Sequence, residues 1–380
     1  MKWYWNKQKK LELYNNTLLS DNIMDEITAV HKSYSQYRTT PLWQLSQLSQ
    51  RLGVKEIYLK DESYRFGLNS FKVLGGSYAM QKILQTKKKN DKTVFITATD
   101  GNHGKGVAWV AQQLHKEAYV LMPKGSSSER LENIQNCGAN AWITECNYDE
   151  TVKQATELAK KNEWILVQDT AFEGYERIPN WIMQGYSTMV REAYEQMKTI
   201  CPTHVFLQAG VGSMAAGVID YLRFFLKENC PKIIIVESGE ADCLFQTAKA
   251  NDGKLHKVDG ALETIMAGLA CGEPSVTGWN VIKNNVDCFV SIDDCSAANA
   301  IRILCNPLFG DPAVYAGESG AAGMGAFFEI MEESAYSDLK QKLGLNTDSI
   351  VLSFVTEGIT DSKSFENIVW KGAYSSEIKK

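Results

Sequence analysis

Short apolar runs rich in β-branched residues alternate with amphipathic stretches along most of this 380-residue chain. This alternation predicts strands separated by helices, and continuous apolar runs are typical of parallel strands covered on both faces. The sequence therefore predicts an α/β fold of two lobes, with mainly parallel twisted sheets flanked by helices. The predicted strands span 56–60, 94–99, 118–122, 141–144, 165–168, 204–208, 233–236, 288–290 and 350–355. The predicted helices span 73–86, 104–114, 129–136, 150–161, 182–197, 214–226 and 320–333.

Two breaks in this pattern mark the lobes. The polar stretch 87–92 follows a long predicted helix, and Pro202 ends another helix just before a predicted strand. The breaks enclose four of the predicted strands, and a length near 150 residues per domain allows two units. The sequence predicts a larger lobe formed by 1–89 and 201–380, into which a smaller lobe, 90–200, is inserted.

Composition and spacing disfavour several classes of function. The 40 basic and 45 acidic side chains give a net charge of −5, which disfavours nucleic acid as a partner. No stretch approaches the roughly 20 apolar residues of a membrane span, and no signal-peptide pattern is present, so no membrane association is expected. Nine cysteines without a C-x-x-C spacing predict a reducing cytoplasm, and five histidines without a paired motif predict no metal site.

Lys72 stands in Asn69-Ser70-Phe71-Lys72-Val73-Leu74-Gly75-Gly76, at the start of a predicted helix. An aromatic neighbour and two glycines that allow close backbone approach are compatible with a Schiff-base lysine. A solvated surface charge is the more frequent role of a lysine on a helix. Both interpretations of Lys72 stay open from this segment alone.

A second candidate segment is Thr99-Asp100-Gly101-Asn102-His103-Gly104, where a predicted strand gives way to a helix. Backbone N–H groups at such a junction favour a carboxylate or another anion. The alternative is a tight structural turn in which His103 makes an ordinary polar contact. Gly101, Gly104 and the following Gly106 place three glycines within six residues, which favours a functional loop.

The third segment, 208–217, contains Gly210, Gly212, Ser213 and Gly217 between a predicted strand and an apolar helix. Its glycines, hydroxyl and helix N-terminus form a plausible phosphate-binding loop. It lacks the Gly-Lys-Ser/Thr ending of a P-loop, but it matches the G-x-G-x-x-A dinucleotide fingerprint, with Glu237 where a ribose-binding acid would lie. A purely structural glycine turn is the third interpretation.

Polar side chains also follow two other predicted strands. Thr356 belongs to Ser353-Phe354-Val355-Thr356-Glu357-Gly358-Ile359-Thr360-Asp361, and Asp169 follows the predicted strand 165–168. Open α/β sheets bind ligands at the carboxyl ends of their strands. A turn and a helix cap are the structural alternatives for these two segments.

The order of these segments resembles that of pyridoxal-phosphate enzymes with the tryptophan-synthase β-subunit fold. Within that group the chain resembles the diaminopropionate ammonia-lyase family over most of its length, most specifically in the run from Asp169 to Tyr186. The matching segments are His31-Lys32-Ser33-Tyr34, Thr40-Pro41-Leu42, Ser70-Phe71-Lys72, Thr99-Asp100-Gly101-Asn102-His103-Gly104, Asp169-Thr170-Ala171-Phe172-Glu173-Gly174-Tyr175, Ile178-Pro179-Asn180-Trp181-Ile182-Met183-Gln184-Gly185-Tyr186 and Met266-Ala267-Gly268-Leu269-Ala270-Cys271-Gly272-Glu273-Pro274.

The resemblance implies pyridoxal 5′-phosphate as the cofactor. Lys72 would hold it through a Schiff base, Asn102 would contact its 3′-oxygen, and Thr356 would face its pyridine nitrogen. Ile359 departs from the family, which usually has a polar residue at that place. The phosphate loop of the family would comprise Gly210, Gly212, Ser213 and Gly217.

The implied reaction is the α,β-elimination of D- or L-2,3-diaminopropionate, a small amino acid, to pyruvate and two ammonia, performed by a homodimer. Lys72, Asp100 and Asp169 would be the catalytic residues. Relatives that act on serine or threonine usually carry a serine in place of Asp100, so this aspartate points to a diamine substrate. Asp100 would serve as the base for the D-isomer and Asp169 would orient the β-ammonium, although the two acids could exchange roles.

Three other functions stay open at this point. A serine or threonine dehydratase would use the same cofactor with a hydroxyl leaving group. A nicotinamide-dependent dehydrogenase would use Gly210, Gly212 and Glu237, with Lys72 as a surface charge. A non-catalytic ligand-binding module of the same fold would leave the acids without a kinetic role.

Overall fold

The computed structural model describes residues 1–9, 18–88, 92–99 and 101–375. Among these, no helix combines the length and the apolar composition that a membrane crossing requires. The strands are β1 Lys2–Trp5, β2 Leu42–Gln44, β3 Glu56–Asp61, β4 Val94–Ala98, β5 Glu117–Met122, β6 Asn140–Ile143, β7 Ile165–Leu166, β8 His204–Gln208, β9 Lys232–Ser238, β10 Cys288–Ile292 and β11 Ile350–Val355. The helices are α1 Asp21–Lys32, α2 Ser46–Leu52, α3 Val73–Gln85, α4 Asn102–Gln113, α5 Ser128–Gln135, α6 Tyr148–Asn162, α7 Arg177–Met197, α8 Ser213–Leu226, α9 Cys243–Ala250, α10 Val276–Ile282, α11 Asp294–Cys305, α12 Glu318–Glu332, α13 Ser337–Leu343 and α14 Ser362–Val369.

In the described part of the chain, eleven strands form two sheets. The larger sheet has the order β1-β10-β9-β8-β11-β3-β2, with five parallel strands in its centre and an antiparallel strand at each edge. The smaller sheet has the order β6-β5-β4-β7, and all its strands are parallel. Strands β4, β8, β10 and β11 are buried at every residue because helices cover both faces of the sheets. The predicted α/β fold with mainly parallel sheets is confirmed.

The smaller sheet comes from one continuous part of the chain, which leaves the larger sheet after β3 and returns to it at β8. Helix α7 lies within the predicted smaller lobe, yet it packs against α1, α3 and α8. The division into 1–89 plus 201–380 and 90–200 therefore stays a prediction, and α7 is the element whose membership it leaves open.

Glycines bring α3, α7 and α8 into close contact. A Cβ atom added to Gly185 of α7 would lie 2.4 Å from the Leu74 oxygen of α3. One added to Gly217 of α8 would lie 2.4 Å from the Met183 oxygen of α7. Real carbon and oxygen atoms do not approach so closely, so these positions accept no side chain while the helices stay where they are.

A buried ionic cluster ties α7 to the end of β3. The Arg65 guanidinium donates to Glu62 and Glu192 at 2.8 Å each, and Lys60 Nζ lies 2.8 Å from Glu192 Oε2. All four side chains are almost completely buried. Buried charges are tolerated when they are paired and hydrogen-bonded, as they are here, and loss of one partner would leave an uncompensated charge.

His31 of α1 forms hydrogen bonds with residues of α3 and α7 inside the core. Its ring is fully buried; Nε2 donates to the Leu74 oxygen at 2.9 Å, and Nδ1 lies 2.8 Å from Thr188 Oγ1. Burial lowers the pKa of His31 from 6.5 to about 4. The ring is therefore neutral in the folded chain at pH values where an unfolded chain would protonate it.

This lowered pKa predicts a loss of stability in mild acid. Between pH 6.5 and 4 the unfolded chain binds a proton at His31 that the folded chain does not, so stability falls as pH falls. From pH 7 to pH 5 the contribution is about 2 kcal/mol. Urea unfolding of the protein and of His31→Gln at both pH values should show a smaller pH-dependent loss in the variant. Equal losses would contradict this role of His31.

Candidate active site

A cavity of about 430 Å³ lies where the carboxyl ends of strands from both sheets meet. The segments after β4, β7, β8 and β11 all line it, as do Lys72 and the segment 260–264. Parallel sheets present backbone groups and loop side chains at this edge, which is why open α/β folds bind ligands there. Of the predicted site residues, the cavity lining includes Lys72, Asn102, Asp169, Gly210, Gly212, Ser213 and Thr356.

Lys72 directly precedes α3, and its side chain reaches Asp169, which follows β7. Lys72 Nζ donates to Asp169 Oδ2 at 2.5 Å. Burial opposes the charged form of both groups, but each is stabilised by the other: the carboxylate raises the pKa of Lys72 above its usual range, and Lys72 with His103 lowers the pKa of Asp169 to about 2. Lys72 is thus a paired, mostly buried ammonium and not a solvated surface charge.

Aromatic rings enclose this ion pair on one side. Lys72 Nζ lies 5.5 Å from the centre of the Phe71 ring. The Phe71 ring packs edge-on against Tyr186 of α7, with 4.8 Å between ring centres. Rings of this kind exclude water, and a low-dielectric surrounding strengthens the attraction between Lys72 and Asp169.

The loop after β8 leads into the N-terminus of α8. Gly212 has a φ of 96°, and an added Cβ would lie 2.8 Å from Ile282 Cδ1. At Gly210 an added Cβ would lie 3.2 Å from Cys271 Sγ. Glycine is therefore required at Gly212 by its backbone conformation and by the space around it. The start of α8 lines the cavity with Gly212, Ser213 and Met214, and a helix N-terminus favours an anion.

Two residues of the predicted phosphate loop have other contacts. Ser213 Oγ donates to the Asp169 backbone oxygen at 2.6 Å, so donation to a phosphate would require exchange of that bond. Gly217 lies more than one turn into α8, at the contact with α7, and it is absent from the cavity lining. The structure thus does not bring Gly217 to the cavity, where its assignment to the phosphate loop would need it.

Thr356 and Asn102 line the cavity from opposite sheets. Thr356 follows β11, is 3% exposed, and its Oγ1 accepts a hydrogen bond from Gln208 Nε2 at 2.9 Å. Asn102 is the first residue of α4, after β4 of the smaller sheet. Their predicted contacts with the pyridine nitrogen and the 3′-oxygen stay predictions. Asp100 lies outside the described residues.

Two polar residues that the sequence did not single out also belong to the site. His103 Nδ1 lies 3.9 Å from Asp169 Oδ2, and its Nε2 donates to the Val167 oxygen at 2.8 Å. Glu357 lines the cavity and accepts a hydrogen bond from Asn102 Nδ2. His103 stands beside Asn102 at the start of α4, and Glu357 stands beside Thr356 just after β11, so adjacency to residues that were singled out was a signal for both.

Glu237, the acid that a nicotinamide-dependent dehydrogenase would need for ribose binding, is engaged in other hydrogen bonds. Glu237 is fully buried, and its two carboxylate oxygens accept hydrogen bonds at 2.8 Å from the backbone N–H groups of Leu244 and Phe245 in α9. Burial raises the pKa of Glu237. A carboxylate used in this way caps a helix and has no free oxygen face for a ribose.

The residues of the cavity fit pyridoxal phosphate. An aldehyde forms a Schiff base with an amine, and of the lining lysines Lys72 is mostly buried whereas Lys124 is exposed. A phosphate dianion needs backbone donors without a side chain in the way, and the loop from Gly210 to Ser213 provides them at a helix N-terminus. The ring would lie between these two, where Asn102 and Thr356 offer polar atoms.

This fit predicts that Gly212→Asp weakens cofactor binding. The Cβ of the aspartate would clash with Ile282 and Leu244, and the left-handed φ of 96° is strained for an L residue. The loop would therefore shift away from the phosphate, and we expect the dissociation constant to rise about 100-fold. The measurement is an absorbance titration with pyridoxal phosphate. The matched control is Gly253→Asp, at an exposed glycine with a φ of 80° and open space around it. Unchanged affinity in a folded Gly212→Asp protein would contradict the placement.

The chain is similar to known proteins in sequence and in fold. A family model for pyridoxal-phosphate dependent enzymes matches residues 34–352. The diaminopropionate ammonia-lyase of Salmonella typhimurium is 48% identical, over 94% of this chain and 94% of its own. The crystal structure of the Escherichia coli diaminopropionate ammonia lyase in complex with an aminoacrylate-PLP azomethine reaction intermediate is 44% identical, covers 98% of both chains and has a TM-score of 0.92. Threonine deaminase isoform 2 from Solanum lycopersicum, 21% identical with a TM-score of 0.74, shares the fold.

These matches extend over nearly the whole chain, and they agree with a cavity that combines a buried lysine with a glycine-rich loop at a helix N-terminus. The chain belongs to the pyridoxal-phosphate-dependent enzymes and, within them, to the diaminopropionate ammonia-lyase family.

Proposed function

We propose that the chain is a carbon–nitrogen lyase that converts 2,3-diaminopropionate and water to pyruvate and two ammonia, with pyridoxal phosphate as cofactor. One observation carries this proposal: the mostly buried Lys72 ammonium lies 2.5 Å from Asp169, in a cavity lined by a glycine-rich loop. It does so in a chain that is 48% identical to a diaminopropionate ammonia-lyase.

In this proposal Lys72 holds the cofactor, Asn102 and Thr356 contact its ring, and the loop from Gly210 to Ser213 holds its phosphate. When bound, pyridoxal phosphate supplies a conjugated ring that takes up the electrons released at Cα. Lys72 Nζ removes the Cα proton of the L-isomer. Asp169 stabilises the ammonium that Lys72 then becomes, since the carboxylate raises the pKa of Lys72.

The D-isomer presents its Cα proton on the opposite face, which one base on one side cannot reach. We assign that proton to Asp100, on the basis of the family resemblance and of its place just before Gly101. Dehydratases usually carry a serine at the place of Asp100. This acid is therefore the residue by which the proposed site, which accepts both isomers of a diamine, differs from a dehydratase site.

The β-amino group leaves as neutral ammonia only if its nitrogen carries the proton of an ammonium. In the free chain Asp169 keeps its negative charge at neutral pH because Lys72 and His103 lower its pKa to about 2 against the effect of burial. Once Lys72 holds the cofactor, the β-ammonium would take the place of the Lys72 cation beside this carboxylate. Asp169 would therefore bind the β-ammonium and keep it protonated until the Cβ–N bond breaks and its electrons pass to nitrogen. The enamine released from the site adds water and gives pyruvate and the second ammonia.

The test is a substrate panel with two products measured together. Both isomers of 2,3-diaminopropionate, L-serine and L-threonine are incubated with the purified protein, and 2-oxo acid and ammonia are quantified. The proposal expects two ammonia per pyruvate and a higher kcat/KM for the diamine than for the hydroxy amino acids. A preference for serine, with one ammonia per pyruvate, would replace it with a dehydratase.

We further propose that the enzyme is a cytoplasmic homodimer. All nine cysteines are free thiols, in keeping with a reducing compartment. Exposed apolar side chains occur at the end of α11, at Ile303, and just after it, at Leu308 and at Phe309, which is 102% exposed. Such patches are typical of protein interfaces. Light scattering at micromolar concentration should give twice the chain mass of 42.5 kDa. A monomer at that concentration would contradict the dimer.

A further inference from the structure

Glu357 is a carboxylate at the edge of the cavity that the proposed reaction does not use. It follows β11 directly after Thr356 and is 6% exposed. Its backbone oxygen accepts from Gly317 N at 3.0 Å, and its Oε1 accepts from Ser319 N at 3.2 Å. Ser319 is in the first turn of α12, and a helix N-terminus stabilises a negative charge.

The surroundings of Glu357 allow it little freedom. A Cβ added to Gly320 would lie 2.3 Å from the Glu357 oxygen, and one added to Gly317 would lie 2.3 Å from the Gly358 oxygen. Glu357 also pairs with Ser70 in an antiparallel bridge, two residues before Lys72. The position of this carboxylate is therefore fixed by α12 on one side and by the segment before Lys72 on the other.

The second oxygen of Glu357 reaches across the cavity edge to the other sheet. Asn102 Nδ2 donates to Glu357 Oε2. Asn102 begins α4, after β4 of the smaller sheet, whereas Glu357 follows β11 of the larger one. The Asn102 amide thus contacts a fixed, negatively charged acceptor, Glu357, that comes from the opposite sheet.

An asparagine amide can turn over and exchange its nitrogen and oxygen with little change of shape. A carboxylate facing it decides between the two orientations, because the nitrogen can donate to the carboxylate while the amide oxygen would be repelled by it. With the nitrogen held at Glu357, the orientation of the whole amide toward the cavity is set.

We propose that Glu357 is a positioning residue that fixes the orientation of the Asn102 amide and so sets the hydrogen bonding of Asn102 to the cofactor. This inference rests on the proposed cofactor site, but it does not depend on which amino acid the enzyme converts. It assigns Glu357 no contact with the substrate and no proton transfer.

The experiment is a double-mutant cycle on the holoenzyme. Glu357→Gln keeps the shape of the side chain but can face the amide with either its oxygen or its nitrogen. We expect it to raise the dissociation constant of pyridoxal phosphate about tenfold and to shift the pH midpoint of the visible absorption band of the cofactor. In the Asn102→Ala background, where no amide is left to orient, Glu357→Gln should change the dissociation constant less than about twofold.

A matched control removes a negative charge from the cavity without touching Asn102. Glu263 lines the cavity mouth and is exposed, so Glu263→Gln should leave both the dissociation constant and the pH midpoint unchanged. An equal effect of Glu357→Gln with and without Asn102, or an equal effect of Glu263→Gln, would overturn the proposal. A purely structural role of Glu357 would give the former result. These readouts require no turnover, so a failed substrate test would leave them interpretable.

A second variant keeps Glu357 intact in case Glu357→Gln folds poorly. Asn102→Asp would place two carboxylates against each other, so its apoprotein should melt at a lower temperature than that of Asn102→Ala at pH 7.5. The gap should narrow at pH 5, where the pair can share a proton. Equal melting temperatures at pH 7.5 would show that no charge faces Asn102 and would overturn the proposal.

Discussion

Replacing Lys72 with alanine should reduce turnover of 2,3-diaminopropionate at least about 1,000-fold, because the residue is proposed both to hold the cofactor and to remove the Cα proton. Borohydride reduction of the wild-type holoenzyme, followed by peptide mapping, should find the pyridoxyl group on Lys72. The alanine variant should retain no reducible label. Its folding stability should also fall, since Asp169 would be left as a buried charge without its lysine.

The control for this prediction is Lys82→Ala. Lys82 lies on the same helix α3 and forms an ion pair with Glu26 at 2.8 Å, away from the cavity lining. It should keep normal turnover and a normal label. A pyridoxyl group on any lysine other than Lys72, or full activity of Lys72→Ala, would show that the site is wrongly assigned.

Asp169→Asn should impair turnover of both isomers about 100-fold, since the variant can neither hold the β-ammonium nor stabilise a protonated Lys72. Burial of Lys72 would remain while its counter-ion is lost, so the pKa of Lys72 should fall. Cofactor uptake by the apoprotein requires the neutral amine. The pH midpoint of the uptake rate should therefore move to lower pH in Asp169→Asn.

Two other substitutions make this result specific. Asp169→Glu keeps the charge and should retain more activity than Asp169→Asn, whereas Glu263→Gln removes a cavity charge that does not touch Lys72.

Asp100→Asn should reduce turnover of the D-isomer far more than that of the L-isomer. Equal losses on both isomers for Asp100→Asn would reject the assignment of a second base and leave the lyase proposal intact.

The central strands could be predicted because their apolar runs are long and continuous. Each of the nine predicted strands overlaps a strand of the structure, most closely at β8 and β11, where the bounds agree at both ends. The buried centre of a parallel sheet demands such runs, so the sequence carries a strong signal there. The same is true of α3 and α8, whose predicted bounds differ by one residue or less at each end.

The edges of the larger sheet were missed for the opposite reason. Strand β1 has four residues, is aromatic and partly exposed, and pairs antiparallel with β10. Strand β2 has three residues directly after Pro41 and pairs antiparallel with β3. Short, half-covered strands need no continuous apolar run, and their pairing depends on residues far away in sequence. Helix α1 was missed as well, although Ser20 caps it with a side-chain hydrogen bond.

The structure brings predicted residues together where one segment contained both the end of a strand or start of a helix and a chemically distinctive residue, as with Asp169 and Lys72, whose roles stay predictions. Prediction did less well where the role depends on two segments meeting. The contact between Asn102 and Glu357 joins residues 255 positions apart, and no local pattern in either segment indicates it. Gly217 shows the opposite error. It is close to the predicted phosphate loop in sequence, but the structure explains the need for glycine there by the contact of α8 with α7.

The close packing of α3, α7 and α8 bears on how the substrate range of this enzyme could be altered by laboratory evolution. Gly185 and Gly217 leave no space for a methyl group, and α7 also carries Tyr186 against Phe71, next to Lys72. Any larger residue at these glycines would displace α7 and the Tyr186 ring that packs beside Lys72, so substitutions on this side of the cavity should not be accepted. Accepted changes should instead gather in 260–264, which lines the cavity outside any helix or strand. Libraries built on that segment should yield folded enzymes with new leaving-group preferences, and libraries built on α7 should yield mostly inactive protein.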